Sequence, residues 1–122
     1  MQAKASLSSF TFGRPTPELP VRDVQRAQAH YRDIFGFEVG WLYGDGEIGA
    51  VNRDQTAIFL RRRSGVFEPA VHWVYAPDIE AIHAALHDSG ANITEPLATK
   101  PWGLTQFTVE DLDGNRFYFH RD

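Results

Sequence analysis

The segment Lys100-Pro-Trp-Gly-Leu-Thr-Gln-Phe-Thr-Val-Glu-Asp-Leu-Asp-Gly-Asn-Arg-Phe-Tyr-Phe-His120 reads as two strands joined by a turn on Asp113-Gly114-Asn115. Asp-Gly and Gly-Asn tolerate the positive backbone dihedrals that a tight hairpin requires. The flanks Leu104 to Val109 and Arg116 to His120 are rich in β-branched and aromatic residues, which suits a pleated, half-buried surface.

Upstream of this hairpin the chain repeats itself. Leu19 to Val21 is a short strand, and Asp23 stands at the N-cap of a helix with Val24, Ala27, Tyr31 and Ile34 at helical spacing, stopped by Gly36. Three strands follow, Phe37 to Tyr43, Gly46 to Asn52 and Thr56 to Arg61, separated by Gly44-Asp45-Gly46 and Asn52-Arg53-Asp54-Gln55. Past a linker from Ser64 to Pro69 come a strand from Val71 to Ala76 and a helix capped by Asp78, with Ile79, Ile82 and Leu86 on one face and Gly90 at its end. A strand near Ile93 then leads into the hairpin. Asp23 answers to Asp78 and Gly36 to Gly90, a spacing of about 55 residues. One βαβββ module leaves a sheet face uncovered and edges unpaired, so two modules must combine, within a chain or between chains.

Composition narrows the function classes. A chain of 122 residues buries roughly two thirds of its unfolded surface, enough for one domain over residues 15–122, with modules at about 16–63 and 70–122 and an extension at 1–14. With 43% hydrophobic and 23% charged residues it sits in the ordinary globular range. There is no apolar run long enough to span a bilayer and no signal-like apolar block near the N-terminus, so a cytoplasmic location without membrane partners is expected. The absence of cysteine excludes disulfides, thiolate metal sites and thiol catalysis. A net charge of -4 argues against nucleic acid as a partner, and Arg61-Arg62-Arg63 reads as a solvated strand end. Glycine-rich phosphate loops and Gly-x-Ser-x-Gly elbows are missing.

The tandem βαβββ order resembles the vicinal oxygen chelate superfamily, which includes glyoxalase I, extradiol dioxygenases and bleomycin resistance proteins. The resemblance is carried by Leu19-Pro-Val-Arg-Asp-Val24 before the first helix, Tyr31-Arg-Asp-Ile-Phe-Gly-Phe-Glu-Val39 after it, and the Asp113-Gly114-Asn115 hairpin, and it covers Pro17 to His120. It implies an α+β fold, with tandem modules forming a curved eight-stranded mixed sheet around a cavity, commonly completed by a homodimer.

Enzymes of that superfamily hold a divalent ion with a residue from each of four strands. Carried onto this sequence, those positions fall at Thr16, at Phe59 or Leu60, at His72 and at Tyr118, so only His72 retains a ligand type. The resemblance therefore implies no metal, no other cofactor and no catalytic residues. It points to the bleomycin-resistance branch, to which Lys100-Pro101-Trp102-Gly103 with Gln106-Phe107 is especially similar: a homodimer that sequesters an aromatic or cationic drug-like molecule in a dimer cleft. The expected ligand-binding residues are Thr16, Trp41, Phe59, His72, Trp102, Gln106 and Tyr118. The alternative is a divalent-metal lyase, isomerase or dioxygenase of the same superfamily, and a metal-free enzyme with His72 as general base is a third reading.

Each candidate also has a plainer reading. His72 is either a polar group kept in the cavity or a hydrogen-bonded strand histidine. By strand alternation Trp73 and Tyr75 point away from His72, toward the helix-packed side, so Trp73 is expected in the core. His83 and His87, four apart on the second helix and flanking its apolar face, read as a partly exposed helix surface, and His30 and His120 receive no role. Glu18, Glu38 and Glu47 are the acids nearest the strands, one of which could counter a cationic guest, although solvent-facing positions account for them more simply.

Overall fold

The computed structural model describes residues 6–122, so Met1 to Ala5 of the expected extension lie outside the described residues. After a single 3-10 turn at Leu7–Ser9, the chain forms β1 (Glu18–Val21), α1 (Val24–Phe35), β2 (Glu38–Tyr43), β3 (Ile48–Arg53), β4 (Thr56–Arg62), β5 (Val71–Tyr75), α2 (Ile79–Ser89), β6 (Asn92–Thr99), β7 (Thr105–Glu110) and β8 (Arg116–Arg121). This is the tandem βαβββ order. The strands form two four-stranded mixed sheets, β1-β4-β3-β2 and β5-β8-β7-β6, in which β1 runs parallel to β4 and β5 parallel to β8.

Local chemistry sets the helix ends. Asp23 Oδ1 accepts from the Arg26 amide at 2.9 Å, and Gly36 closes α1 at φ 72, a left-handed conformation that a Cβ would strain. Asp78 occupies the corresponding position before α2, but its side chain makes no capping bond; its carbonyl instead takes the Ile82 amide at 3.1 Å. The buried face of α1 carries Val24, Ala27, Gln28, Tyr31 and Phe35. Gln28 Nε2 donates to the Trp41 and Ala50 carbonyls, each at 3.1 Å, which fastens the helix to the sheet. Gly49 permits that approach, because a Cβ there would lie 2.7 Å from Gln28 Nε2 and 2.8 Å from Val24 Cγ1.

Both modules share one core, in which Leu19, Val21, Tyr31, Phe35 and Leu60 meet Ile79, Phe107, Val109 and Phe117. At the seam between modules the hairpin turn acts as a clasp. Asp111 accepts from Tyr31 Oη at 2.6 Å, from Asn115 Nδ2 and the Asn115 amide at 2.9 Å, and from the Asp113 amide at 2.8 Å. Asn115, fully buried, also donates to the Pro20 carbonyl at 2.9 Å and accepts from the Ala70 amide at 2.8 Å. The Arg22 amide reaches Asp113 Oδ1 at 3.0 Å. Burial and the adjacent Asp111 carboxylate push the Tyr31 phenol well above its ordinary range, so it stays a donor at every working pH.

Each sheet gives one face to the shared core and turns the other outward. Among the described residues no helix is long and apolar enough to cross a membrane.

Candidate functional site

The outward face of the C-terminal sheet carries rows of side chains, because residues paired across neighbouring strands point the same way. One row runs Tyr75, His120, Gln106 and Ala98 across β5, β8, β7 and β6. The next runs Trp73, Tyr118, Thr108 and Glu95, and a third Val71, Arg116 and Glu110. Trp73 stacks on Tyr118 with ring centroids 4.5 Å apart at 26°. His120 sets its edge against Trp73 at 5.7 Å and Tyr75 at 5.8 Å. Trp102, in the turn before β7, folds over this face and donates from Nε1 to Gln106 Oε1 at 2.9 Å. Trp73, Tyr75 and Trp102 are 53%, 59% and 63% exposed, an unusual density of bare rings for a sheet surface.

Charges lie at the far side of these rows and are engaged with one another. Glu95 takes Thr108 Oγ1 at 3.2 Å and Lys100 Nζ at 3.4 Å, and Glu110 lies 3.8 Å from Arg116. On the N-terminal sheet, Trp41 packs edge-on to Phe59 at 5.0 Å, beside Ala50 and the Arg61 to Glu18 ion pair at 2.7 Å. Arg62 and Arg63 pair with Asp45 and Glu18, as a solvated strand end does.

The seven expected ligand-binding residues thus fall into separate groups. Trp102, Gln106 and Tyr118 come together on the C-terminal sheet, and Trp41 and Phe59 on the N-terminal sheet. Thr16 is exposed ahead of β1. His72 lies on the opposite face of β5 from the one expected. It stacks on Phe117 at 5.6 Å, on the helix-packed side, with Nδ1 buried and unpartnered, and burial holds its pKa below the usual histidine value. The physical reason is register. Val74 and Ala76 pack against the core, and residues two apart share a face, so His72 goes inward with them. The same alternation turns Trp73 and Tyr75 outward, correcting their expected place in the core.

Sequence reasoning therefore missed Trp73, Tyr75 and His120 as members of the ring-bearing face. The available signal was β8 itself, where Phe117 and Phe119 alternate with Tyr118 and His120, the amphipathic rings falling on one side. On α2, His87 is exposed while His83, half-buried, packs edge-on to the buried Phe107 at 4.9 Å, as residues flanking the apolar face of a partly exposed helix do.

The superfamily's four metal positions can be tested by their chemistry. Thr16, Phe59 and Tyr118 present a hydroxyl, a hydrocarbon ring and a phenol, and the outward positions of β5 hold Val71 and Trp73. Leu60, the other fourth-strand option, is fully buried in the core. Neutral oxygens and hydrocarbon do not suit a divalent ion, which needs carboxylates or imidazoles to replace its water. Among the described residues no cluster of three or more histidine or acidic side chains could hold one.

A cavity of about 280 Å³ opens between the modules on the helix side, lined by Phe35, Ile58, Ile82, Leu86, Phe117 and Phe119 among others. Its rim cation, Arg53, is occupied in donating to the Phe35 carbonyl at 2.6 Å. Its lining is mainly apolar, with Arg53, Asp54, Thr56 and Tyr75 as its polar residues.

A family model described as Glyoxalase/Bleomycin resistance protein/Dioxygenase superfamily matches residues 12–119. Among solved structures, TioX from Micromonospora sp. ML1 is similar at 26% identity, with a TM-score of 0.75, over 89% of this chain and 98% of that one. The bleomycin-binding protein from bleomycin-producing Streptomyces verticillus, complexed with copper(II)-bleomycin, is similar at 24% identity and a TM-score of 0.76, over 90% and 96%. Lactoylglutathione lyase from Agrobacterium tumefaciens is similar at 18% identity and a TM-score of 0.70, over 88% and 92%. No curated protein sequence matches the chain.

Proposed function

The chain belongs to the Glyoxalase/Bleomycin resistance protein/Dioxygenase superfamily, and we propose that it is a binding protein of that superfamily, holding a flat aromatic small molecule by ring stacking without a metal ion and without transforming it. The observation that carries this reading is the Trp73–Tyr118 stack at 4.5 Å, exposed beside Trp102, Tyr75 and His120 on a face where the superfamily metal position holds the phenol of Tyr118. A bicyclic ligand that removes about 200 Å² of apolar surface from water there gains on the order of 5 kcal/mol, before the cost of association. That a protein of the same fold holds bleomycin supports the reading of a small-molecule binding protein.

The same rings argue for a partner copy. Outward-facing Trp41, Tyr43, Trp73 and Tyr75 are too many bare rings for a lone chain, and a homodimer that covers part of both sheet faces would turn an open platform into a cleft. In the cytoplasm such a receptacle would protect its host by lowering the free concentration of a toxic drug, a route to antibiotic resistance that needs affinity alone.

Tryptophan emission supplies the test, because all three indoles lie on the outward faces or in the turn above them. Metal-free bleomycin and a panel of bicyclic aromatics should quench it saturably, with affinities unchanged by chelator, and Trp73→Ala should weaken binding about tenfold or more, the loss expected for one stacking partner of about 1.4 kcal/mol. Indifference of the emission to every aromatic compound, or loss of binding on chelation, would contradict the proposal.

A further inference from the structure

Three buried histidine nitrogens have no hydrogen-bond partner among the described residues: His30 Nε2, His72 Nδ1 and His120 Nδ1. The first two belong to the helix-packed side, against Tyr31, Phe35 and Phe117. His120 is different, because its ring stands in the outward platform between Tyr75 and Gln106. A neutral imidazole carries one N–H and one lone pair. An enclosed N–H with no acceptor is costlier than an unfilled lone pair, which assigns the lone pair to Nδ1 and the proton to Nε2. His120 is therefore a hydrogen-bond donor without an acceptor among the described residues.

Its neighbours in the row add donors of the same kind. An indole N–H can only donate, so the Gln106 atom 2.9 Å from Trp102 Nε1 is the amide oxygen, and the NH2 group is left without a partner among the described residues. The Tyr75 hydroxyl, on a side chain 59% exposed, likewise makes no hydrogen bond among the described residues. Neighbouring strands are about 4.8 Å apart, so the three donors span about 10 Å beside the stacked rings. Of the carboxylates of the face, Glu95 at the β6 end of the stack's own row is turned to Lys100, and Glu110, one row beyond, to Arg116.

The geometry points to a ligand that is a flat aromatic with an acceptor-rich edge, of which an arenecarboxylate is the simplest, its ring on Trp73 and Tyr118 and its edge received by His120 Nε2–H and the Gln106 amide. This rests on the ring-binding reading above and narrows it, replacing attraction to a cationic guest with a row of donors that excludes one. An ammonium group placed there would face the N–H groups of His120 and Gln106, with only the Tyr75 hydroxyl able to accept from it, and would lose its hydration for little return.

The probes are 2-naphthoate and 2-naphthylmethylammonium, which share a ring system and differ in the charge and hydrogen-bonding sense of the edge. Titrated against tryptophan emission with chelator present, naphthoate is expected to bind at least tenfold more tightly. His120→Phe and Gln106→Leu should each bring the ratio down to threefold or less, whereas His87→Ala, on the exposed surface of α2, should leave it unchanged. Should either platform variant fail to fold, the ratio measured on the native protein decides alone. Equal affinities, or a preference for the ammonium, overturn the donor-row inference while leaving ring binding intact. Binding of neither compound overturns both.

Discussion

His30 and His72 are neutral in the fold, since burial lowers the pKa of both below 6.5 against the opposing pull of Asp111. In the unfolded chain each takes up a proton near its ordinary value, so between that value and the lower folded one the unfolded state binds more protons. Stability is then fully present above the ordinary histidine pKa and falls as the pH drops through this window. Asp113, raised by burial, titrates at lower pH and acts in the opposite sense. The urea midpoint should decline from about pH 7.5 to about pH 5, and His72→Phe, which keeps a ring against Phe117, should flatten part of the decline. A midpoint constant across that range, or a decline untouched by His72→Phe, would contradict the account of these side chains.

At the scale of elements the decisive question is which way β5 faces. Phe117, on β8 and 5% exposed, is a core ring whose truncation to alanine should cost about 3 to 4 kcal/mol. Trp73, one strand away and outward, should cost only about 1 kcal/mol in the same substitution, the worth of its stack on Tyr118. Chemical denaturation of the two variants measures this, and a Trp73→Ala loss as large as that of Phe117→Ala would place the indole back in the core. The helices and their stops were legible in the sequence because caps and left-handed glycines are local: Asp23, Gly36 and Gly90 announce themselves within a turn. The direction of His72 was not, because β5 offers polar and aromatic residues to both faces and its register is imposed by pairing with β8, more than forty residues later. Ring residues of the site could be named individually, as Trp102 and Tyr118 were, but not the row that joins Tyr75, His120 and Gln106. Only the sheet brings those three strands side by side.

For the whole molecule, the closing hairpin does more than turn the chain. Asp111 and Asn115 tie the turn before β8 to Pro20, Tyr31 and Ala70, which fastens the second module to the first at their seam. No sequence pattern announces such a clasp, because its partners lie up to 95 positions away along the chain. With the modules fastened and both outer faces bearing rings, association of two copies is the economical way to cover them. Sedimentation equilibrium should give twice the 13.8 kDa chain mass, and a single-chain mass at micromolar concentration would leave the platform open and the cleft unformed. The proposed seat of flat rings is the outward face of the C-terminal sheet. It is tested most directly by following the indole N–H resonances of Trp41, Trp73 and Trp102 in a two-dimensional nitrogen–proton spectrum as metal-free protein is titrated with 2-naphthoate. Saturable shifts of the Trp73 and Trp102 signals are expected, and shifts confined to residues lining the helix-side cavity, such as Ile82 and Leu86, would overturn ring binding on this face.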